Sequence, residues 1–259
     1  MSAAVANGTS VRDRTIVVGA SSGIGAEIAV RYAARGGAVA VLGRRSELLD
    51  RTAARCRAAH PSATVVAVRH DVTDYASVPA AFDACVEALG GVDRVVYASG
   101  IMSETAPEAF DFERDKAILE TNVLGAFAWL DLAATRFEKE GRGQIVGVSS
   151  IAGERGRGPH PAYNASKACL STYLECLYNR LWKKGVSVVT AKPGYIRTGM
   201  LDYVDPKKLF WVCPVERCAE IIVDGADKKK RSFFVPWRWT LVALALKAVP
   251  SFVMRRLNV

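Results

Sequence analysis

The chain has 259 residues, half of them apolar and 24% charged, which suits a soluble globular protein with a sizeable buried core. Its net charge of +9 sits largely at one end: between Lys228 and Val259 there are eight basic residues and no acidic one. The rest is close to neutral, which excludes a nucleic-acid binder with a basic face. The N-terminal stretch MSAAVANGTSVRDR lacks the apolar centre of a secretory signal. The six cysteines and three histidines show neither C-x-x-C nor metal-ligand spacing. No metal site is expected, and the thiols are expected free and buried, in a reducing cytoplasm.

Residues 15–18 read as a short strand running into Gly19-Ala20-Ser21-Ser22-Gly23-Ile24-Gly25. Over 26–35, Ile28, Ala29, Tyr32 and Ala33 then recur at helical spacing. Strand, glycine turn and helix present free backbone N–H groups and a positive helix end to a phosphate. The spacing is G-x-x-x-G-x-G rather than G-x-G-x-x-G, and a tight turn alone could also account for it. Residues 38–42 form the second expected strand, followed by Gly43-Arg44-Arg45. In dinucleotide folds an acid near this place holds a ribose 2′-hydroxyl, whereas arginine accommodates a 2′-phosphate. With two arginines and no acid, NADP(H) is preferred over NAD(H). The competing reading is a pair of solvated arginines opening a helix over 46–59.

The alternation continues with a strand over 64–69, Asp71-Val72, a helix over 76–89, and a strand over 92–98 ending at Ser99-Gly100. A helical pattern over 112–139 is interrupted at Gly125. A strand over 144–148, a helix over 162–184, a strand over 186–191 and Pro193-Gly194 follow, and residues 233–236 read as a last strand. The expected fold is α/β: one doubly wound Rossmann domain over 1–259, its central parallel sheet of about seven strands flanked by helices on both faces. Ligands in such sheets lie at the carboxyl ends of the strands. Gly19, Arg44, Asp71, Gly100, Ser150 and Pro193 all stand there.

Ser150 follows the strand 144–148, and Tyr163 and Lys167 lie four apart on one helix face. A phenol normally titrates near ~10, and bringing it to about 7 beside an ammonium would take roughly 4 kcal/mol. Such a group would donate a proton to a carbonyl at neutral pH. A serine hydrolase built on Ser150 lacks the G-x-S-x-G elbow and an oriented histidine.

The tail over 236–259 is basic and apolar. Its apolar run 241–250 is too short to span a bilayer and is interrupted by Lys247 and Pro250. Trp237, Trp239, the leucines and the uncompensated Lys/Arg suit a helix at an anionic membrane surface. The alternatives are packing over the substrate cleft or against a second subunit.

Taken together, these motifs resemble the short-chain dehydrogenase/reductase family over roughly residues 14–234. The glycine motif, Thr121-Asn122-Val123, Ser149-Ser150, Tyr163-Asn164-Ala165-Ser166-Lys167 and Pro193-Gly194-Tyr195-Ile196-Arg197-Thr198 occur in the family order. The resemblance implies hydride transfer between a nicotinamide and a carbonyl or alcohol. Asn122, Ser150, Tyr163 and Lys167 would be the catalytic tetrad. Tyr163 would give the proton, Ser150 would hydrogen-bond the substrate oxygen, and Lys167 would lower the Tyr163 pKa and hold the nicotinamide ribose. Asn122 would hold a proton-relay water. The cofactor would rest on Gly19, Ser21, Ser22, Gly23, Ile24, Gly25, Arg44, Arg45, Asp71, Val72, Ala98, Gly100, Pro193, Gly194, Ile196 and Thr198, as well as Tyr163 and Lys167. Asp71 would meet the adenine, and Thr198 the carboxamide or adjacent phosphate.

Two departures stand out. Val18 replaces the family's threonine, and Tyr97-Ala98-Ser99-Gly100 replaces its Asn-Asn-Ala-Gly, so the centre of the sheet must be tied differently around Ala98. The family is often dimeric or tetrameric through its two long helices, and residues 170–181 have the apolar character for such an interface, as an ordinary buried helix would. Ser149-Ser150-x-Ala152-Gly153-Glu154-Arg155, Ala98-Ser99-Gly100 and the tail also resemble the ketoreductases of decaprenylphosphoryl-ribose epimerisation. That likeness implies a ketone on a hydrophobic or lipid-linked substrate, handled in the cytoplasm or at the inner face of a membrane. The competing reading is a regulatory protein that binds the nucleotide without turnover.

Overall fold

The computed structural model describes residues 13–102, 110–204 and 206–256. Seven parallel strands form one sheet in the order β3-β2-β1-β4-β5-β6-β7. They are β1 (Arg14–Val18), β2 (Ala38–Gly43), β3 (Val65–Arg69), β4 (Arg94–Tyr97), β5 (Gly143–Val148), β6 (Val186–Pro193) and β7 (Ser232–Val235). The strands lie within or close to the expected stretches, because runs of valine, isoleucine and alanine buried on both faces belong in the middle of a parallel sheet.

Alternation along each strand divides the core in two. Ile16 and Val18 of β1 face α3 (Val78–Leu89), α5 (Gly125–Glu140) and α6 (Pro161–Leu181), whose Phe82, Trp129 and Leu174 are buried there. Val17 faces the other way, onto α1 (Gly23–Ala34), α2 (Ser46–Ala59) and α7 (Val215–Asp227), with Ile28, Leu49 and Ile222. The helix α7 is not among the expected elements, although Cys218, Ala219, Ile222, Val223 and Ala226 are spaced for it and buried. The leucines of 170–181 also find their partners within the chain: Leu170, Leu174, Leu177 and Leu181 all face the sheet. The stripe is that of a buried helix packed on its own sheet.

The long helical stretch 112–140 is apolar and long enough to cross a membrane, yet more than half of its apolar window is buried against the rest of the protein. It is interrupted as expected, but not at Gly125. Between α4 (Phe112–Leu119) and α5, residues Glu120–Leu124 form a π turn, and Gly125 itself is helical with φ −59°. The reason for a glycine is contact: a Cβ at 125 would stand 2.8 Å from the Tyr97 hydroxyl and 2.9 Å from the Val72 carbonyl oxygen. A π turn puts one extra residue into a helix and turns the local side chains, which is how Asn122 comes to face inward.

At the amino ends of the strands, Arg14 is bound to Asp93 at 2.8 Å, and Arg94 lies over the Tyr32 ring at 4.4 Å. The carboxyl ends are left to the loops. The chain leaves β1 for β2 and β3 on one side and returns to β4 on the other, so a crevice opens between the loops after β1 and β4.

Candidate active site

A cleft of about 2130 Å³ runs along the carboxyl ends of the strands. Its floor begins at Gly19, with φ +89°, where any Cβ would collide with the Ser99 backbone. Gly25 packs on the Gly19 carbonyl, which brings the start of α1 against the turn. Ser22 stands at the N-cap of α1 without a side-chain cap bond. Its hydroxyl and that of Ser21 instead accept from Arg45 Nη2, at 2.7 and 2.9 Å. The first N–H groups of α1 thus carry no side-chain cap.

Arg44 lies beside that turn and pairs with Asp71 at 3.6 Å. Burial pushes the Asp71 carboxyl up, but the Thr73 N–H and hydroxyl, with Arg44, hold it below its ordinary value. Its Oδ1 accepts from both Thr73 N at 3.0 Å and Thr73 Oγ1 at 2.8 Å. Asp71 does not line the cleft, whereas its neighbours His70 and Val72 do. Among the expected cofactor contacts, Gly19, Ser21, Ser22, Gly23, Ile24, Gly25, Arg44, Arg45, Val72, Ala98, Gly100, Pro193, Gly194, Ile196 and Thr198 all line it.

In the middle of the sheet the departure at Tyr97-Ala98-Ser99-Gly100 acquires a physical account. Tyr97 is fully buried and its hydroxyl donates to the Thr121 carbonyl at 2.6 Å, joining β4 directly to the π turn. Phenylalanine at 97 strands that buried carbonyl, and we expect Tyr97→Phe to cost about 1–3 kcal/mol in urea unfolding while preserving the fold. One residue on, Asn122 is wholly buried. Its Oδ1 accepts from Ile101 N at 2.8 Å, and its Nδ2 donates to Ile101 O and Ser166 Oγ, both at 3.0 Å. The side chain therefore fixes the strand-end loop to α6 from just behind the cleft wall. A Cβ on Gly100 would come within 3.4 Å of Asn122 Oδ1 and 3.3 Å of Lys167 Nζ, so Gly100 leaves open the space in front of both groups.

Ser150, Tyr163 and Lys167 line the cleft opposite Gly100. Ser150 Oγ accepts from Ala152 N at 3.1 Å and donates to Pro193 O at 3.4 Å, capping the turn Ile151–Glu154 and touching the end of β6. Lys167 Nζ donates to Val148 O at 3.1 Å and lies 5.7 Å from the centre of the Tyr163 ring. Burial lowers the Lys167 pKa to about 8. Burial also pushes Tyr163 up, against the hydrogen bond with Ser150 and the charge of Arg157, so its phenol lies above the ordinary value. The sequence expectation was the reverse, a phenol lowered by the lysine. In this wall desolvation outweighs the neighbours, and Tyr163 is held protonated at neutral pH.

One side of the remaining cleft is apolar and comes from residues not foreseen as site residues, while Arg114, Arg157, Arg197, Lys207 and Lys208 line other parts of it. Helix α8 (Trp239–Ala248) lies across it, with Trp239, Val242 and Leu246 lining the space. The Trp239 indole covers Gly194 so closely that no side chain fits at 194. Tyr195 and Phe210 pack their rings against Trp239, with centres 5.2 and 4.9 Å away. The tail's aromatic and leucine content was the available signal, but which of those residues turn inward depends on β7 delivering the helix beside β6.

Two expectations are corrected. The basic residues from Lys228 onward are not all uncompensated: Lys247 in the tail pairs with Glu154 at 2.5 Å, and Arg231 before it pairs with Glu175. Cys169 and Cys176 are exposed on α6, while Cys56, Cys85, Cys213 and Cys218 are buried. The two exposed thiols are seven residues apart, two helical turns along one exposed flank of the helix.

Comparison with known proteins agrees with this geometry. The family model for short chain dehydrogenase matches residues 13–209. An uncharacterized oxidoreductase of Myxococcus xanthus is 34% identical, over 91% of this chain and 92% of its own. A 2-dehydro-3-deoxy-L-rhamnonate dehydrogenase (NAD(+)) of a Sphingomonas species is 34% identical, over 72% of this chain and 73% of its own. A short-chain dehydrogenase from Sphingobium yanoikuyae, solved in complex with NADPH, superposes with a TM-score of 0.79 at 24% identity, over 92% of this chain and 97% of that one. A parallel sheet with its crevice at the β1/β4 switch point and a match through three quarters of the length leave one assignment: the chain belongs to the short-chain dehydrogenase/reductase family, oxidoreductases acting on CH–OH and C=O groups.

Proposed function

We propose that this protein is an NADP(H)-dependent reductase of ketones on bulky hydrophobic or lipid-linked substrates, working as one domain with Asn122, Ser150, Tyr163 and Lys167 as its catalytic set. The observation that carries the reading is the placement of Ser150, Tyr163 and Lys167 around the space kept by Gly100, directly beside an apolar wall.

The cleft fits a nicotinamide dinucleotide. The glycine turn leaves room that any Cβ would fill, and the first N–H groups of α1 have no side-chain cap to displace. When bound, that cofactor supplies the hydride. The chain's own residues do the rest. Ser150 donates to the carbonyl oxygen as negative charge grows, and Tyr163 delivers its proton to the same oxygen. The Lys167 ammonium offsets the charge left on the phenolate. Asn122 holds the Ile101 loop and α6 in place, and its Oδ1 keeps a second lone pair for a water on the path to Lys167.

The cofactor preference rests on the residues after β2. Relatives of this chain include one named for NAD(+), so the family alone does not decide the matter. Arg45 sits against Ser21 and Ser22, and Arg44 is more than half exposed at the cleft edge, which suits a 2′-phosphate. We expect Arg44→Ala/Arg45→Ala to reduce the NADPH-over-NADH ratio of kcat/KM by about 10- to 100-fold, a loss of charge-assisted contacts. An unchanged ratio would remove the arginines from the argument.

The tail supports the substrate class. The inward face of α8 is apolar, and its outward face exposes Leu241 and Leu244, with Trp237 and Phe252 nearby and Arg238, Arg255 and Arg256 alongside. Such a face suits an anionic membrane surface, at the cytoplasmic side. We expect homo-oligomers from the family, through faces other than the leucine stripe of α6. The test is oxidation of NADPH with a panel running from small soluble ketones to long-chain and polyprenyl-linked ones, with and without anionic liposomes. Reduction confined to the lipid-like ketones, and faster with liposomes, supports the reading. Equal rates on small ketones, indifferent to liposomes, overturn the substrate class.

A further inference from the structure

Glu154 has no part in the chemistry described above, yet it is among the most deeply buried carboxylates of the described residues, with its side chain 3% exposed. It ends the short turn Ile151–Glu154 that Ser150 caps. One oxygen meets Lys192 at 2.6 Å, on the last turn of β6 before Pro193-Gly194, and the other meets Lys247 at 2.5 Å, on α8. The next residue grips the same tail: Arg155 Nη2 donates to the Val249 carbonyl at 3.1 Å and Ser251 Oγ at 3.2 Å. Three parts of the cleft thus meet at one carboxylate. They are the Ser150 turn, the β6 end, and the helix that roofs the apolar half.

The composition of α8 shows why such a tie is needed. Trp239, Val242, Ala243 and Leu246 point inward, and Leu241, Leu244, Ala245 and Ala248 lie on the outer side. Beyond its first turn, where Trp239 is buried, the helix is apolar on both faces and has less hydrophobic reason to choose one of them. Its charged residue, Lys247, lies between the two faces and reaches Glu154. The apolar contacts that hold the roof gather at its start, where Trp239 and Ala243 pack with Ile151, Tyr195, Phe210 and Phe234. Lys247, two turns further on, ties the far end of the helix through its ion pair.

The geometry points to Glu154 as a positioning residue for substrate specificity: through Lys247 it holds α8 in the rotation that presents Trp239, Val242 and Leu246 to the substrate. The inference rests on the hydrophobic-ketone reading for its substrate, but not for its structural content. In wild type, burial pushes the Glu154 carboxyl up while the two ammonium groups hold it below its ordinary value, so the pair stays ionised through neutral pH.

The test compares wild type with Lys247→Met, Lys247→Arg and Glu154→Gln, using NADPH with a short ketone and a long-chain ketone. Hydrogen exchange of residues 240–248 is followed in parallel. Lys247→Met is the cleaner variant, because Lys192 still pairs with Glu154 and no buried charge is orphaned. We expect it to raise the KM for the long-chain ketone about tenfold, leave kcat for the short ketone within about twofold, and speed exchange in α8 about tenfold, as loss of a charged hydrogen bond implies. Lys247→Arg restores all three values. Glu154→Gln adds a lower kcat on both ketones, because the Ser150 turn loosens as well. Unchanged exchange and KM in Lys247→Met overturn the inference, as does a KM rise equal for both ketones. If wild type shows no preference for the long ketone, the substrate reading fails, and the exchange result still decides the role of the pair.

Discussion

Tyr163→Phe is expected to lower kcat for ketone reduction by about 10³-fold, far more than any loss of NADPH affinity from the missing hydroxyl. The phenol ring stays, so the wall of the cleft keeps its shape, and only the proton donor is lost. The structure sharpens the expectation through the pKa directions at the site. Tyr163 lies above its ordinary value and Lys167 is lowered to about 8. The phenol is therefore a weak acid that gives up its proton only as the substrate oxygen gains charge, with the ammonium nearby to steady the phenolate. Lys167 is charged below about pH 8 and neutral above it. Reduction should accordingly decline as pH rises through about 8, and the residual rate of Tyr163→Phe should lack that decline. A variant retaining most of its turnover would remove Tyr163 from the chemistry, and a flat wild-type profile would remove Lys167.

Gly19→Val carries the second large effect. At φ +89° a β-branched residue is strained by about 1–3 kcal/mol, and its Cβ would drive into the Ser99 backbone, adding about 1–3 kcal/mol of overpacking. The turn cannot yield easily, because Gly19 N and Ala20 N both donate to the Leu42 carbonyl, at 2.9 and 2.8 Å, and Gly25 packs on the Gly19 carbonyl. Strain at this point moves the start of α1. We expect NADPH affinity to fall by more than about 100-fold, since the lost contacts are charge-assisted, and the urea midpoint to fall with it. Retention of both values would show that the turn does not bear on the nucleotide. Gly19→Ala, with a smaller side chain in the same strained conformation, should lie between the two.

What could be read from the chain beforehand follows the range of the interactions involved. Strands such as 38–42 are local runs of buried residues, and Tyr163 and Lys167 share a helix face by spacing alone. The helix α7 carried a clear local signal too, Cys218, Ala219, Ile222, Val223 and Ala226 at helical spacing, and it was legible though it was not among the expected elements. Contacts between distant segments left no such mark. Tyr97 replaces a missing asparagine through a bond to Thr121, 24 residues away, and nothing near position 97 announces it. Glu154 meets Lys247 only because β7 lies beside β6. The raised phenol was illegible for a similar reason: spacing shows which charges are neighbours but not how much water the fold removes.

The order in which the chain is made bears on the roof over Gly194. Synthesis delivers Gly19 well before Leu246, and the two ends of the cleft are joined by contacts of very high sequence separation. Strand β1 can pair with β2 early and with β4 soon after, so the nucleotide half can assemble while the tail is still to come. Until Trp239 arrives, Ile151, Tyr195 and Phe234, which pack with the tail in the finished protein, have no cover. A partly made chain thus carries a sticky patch beside a nearly complete phosphate turn. High contact order slows the last step, and exposed apolar surface in that interval invites aggregation. A nucleotide already seated on the first half would hold it together through that interval, making the cofactor a folding aid before it serves as a reagent.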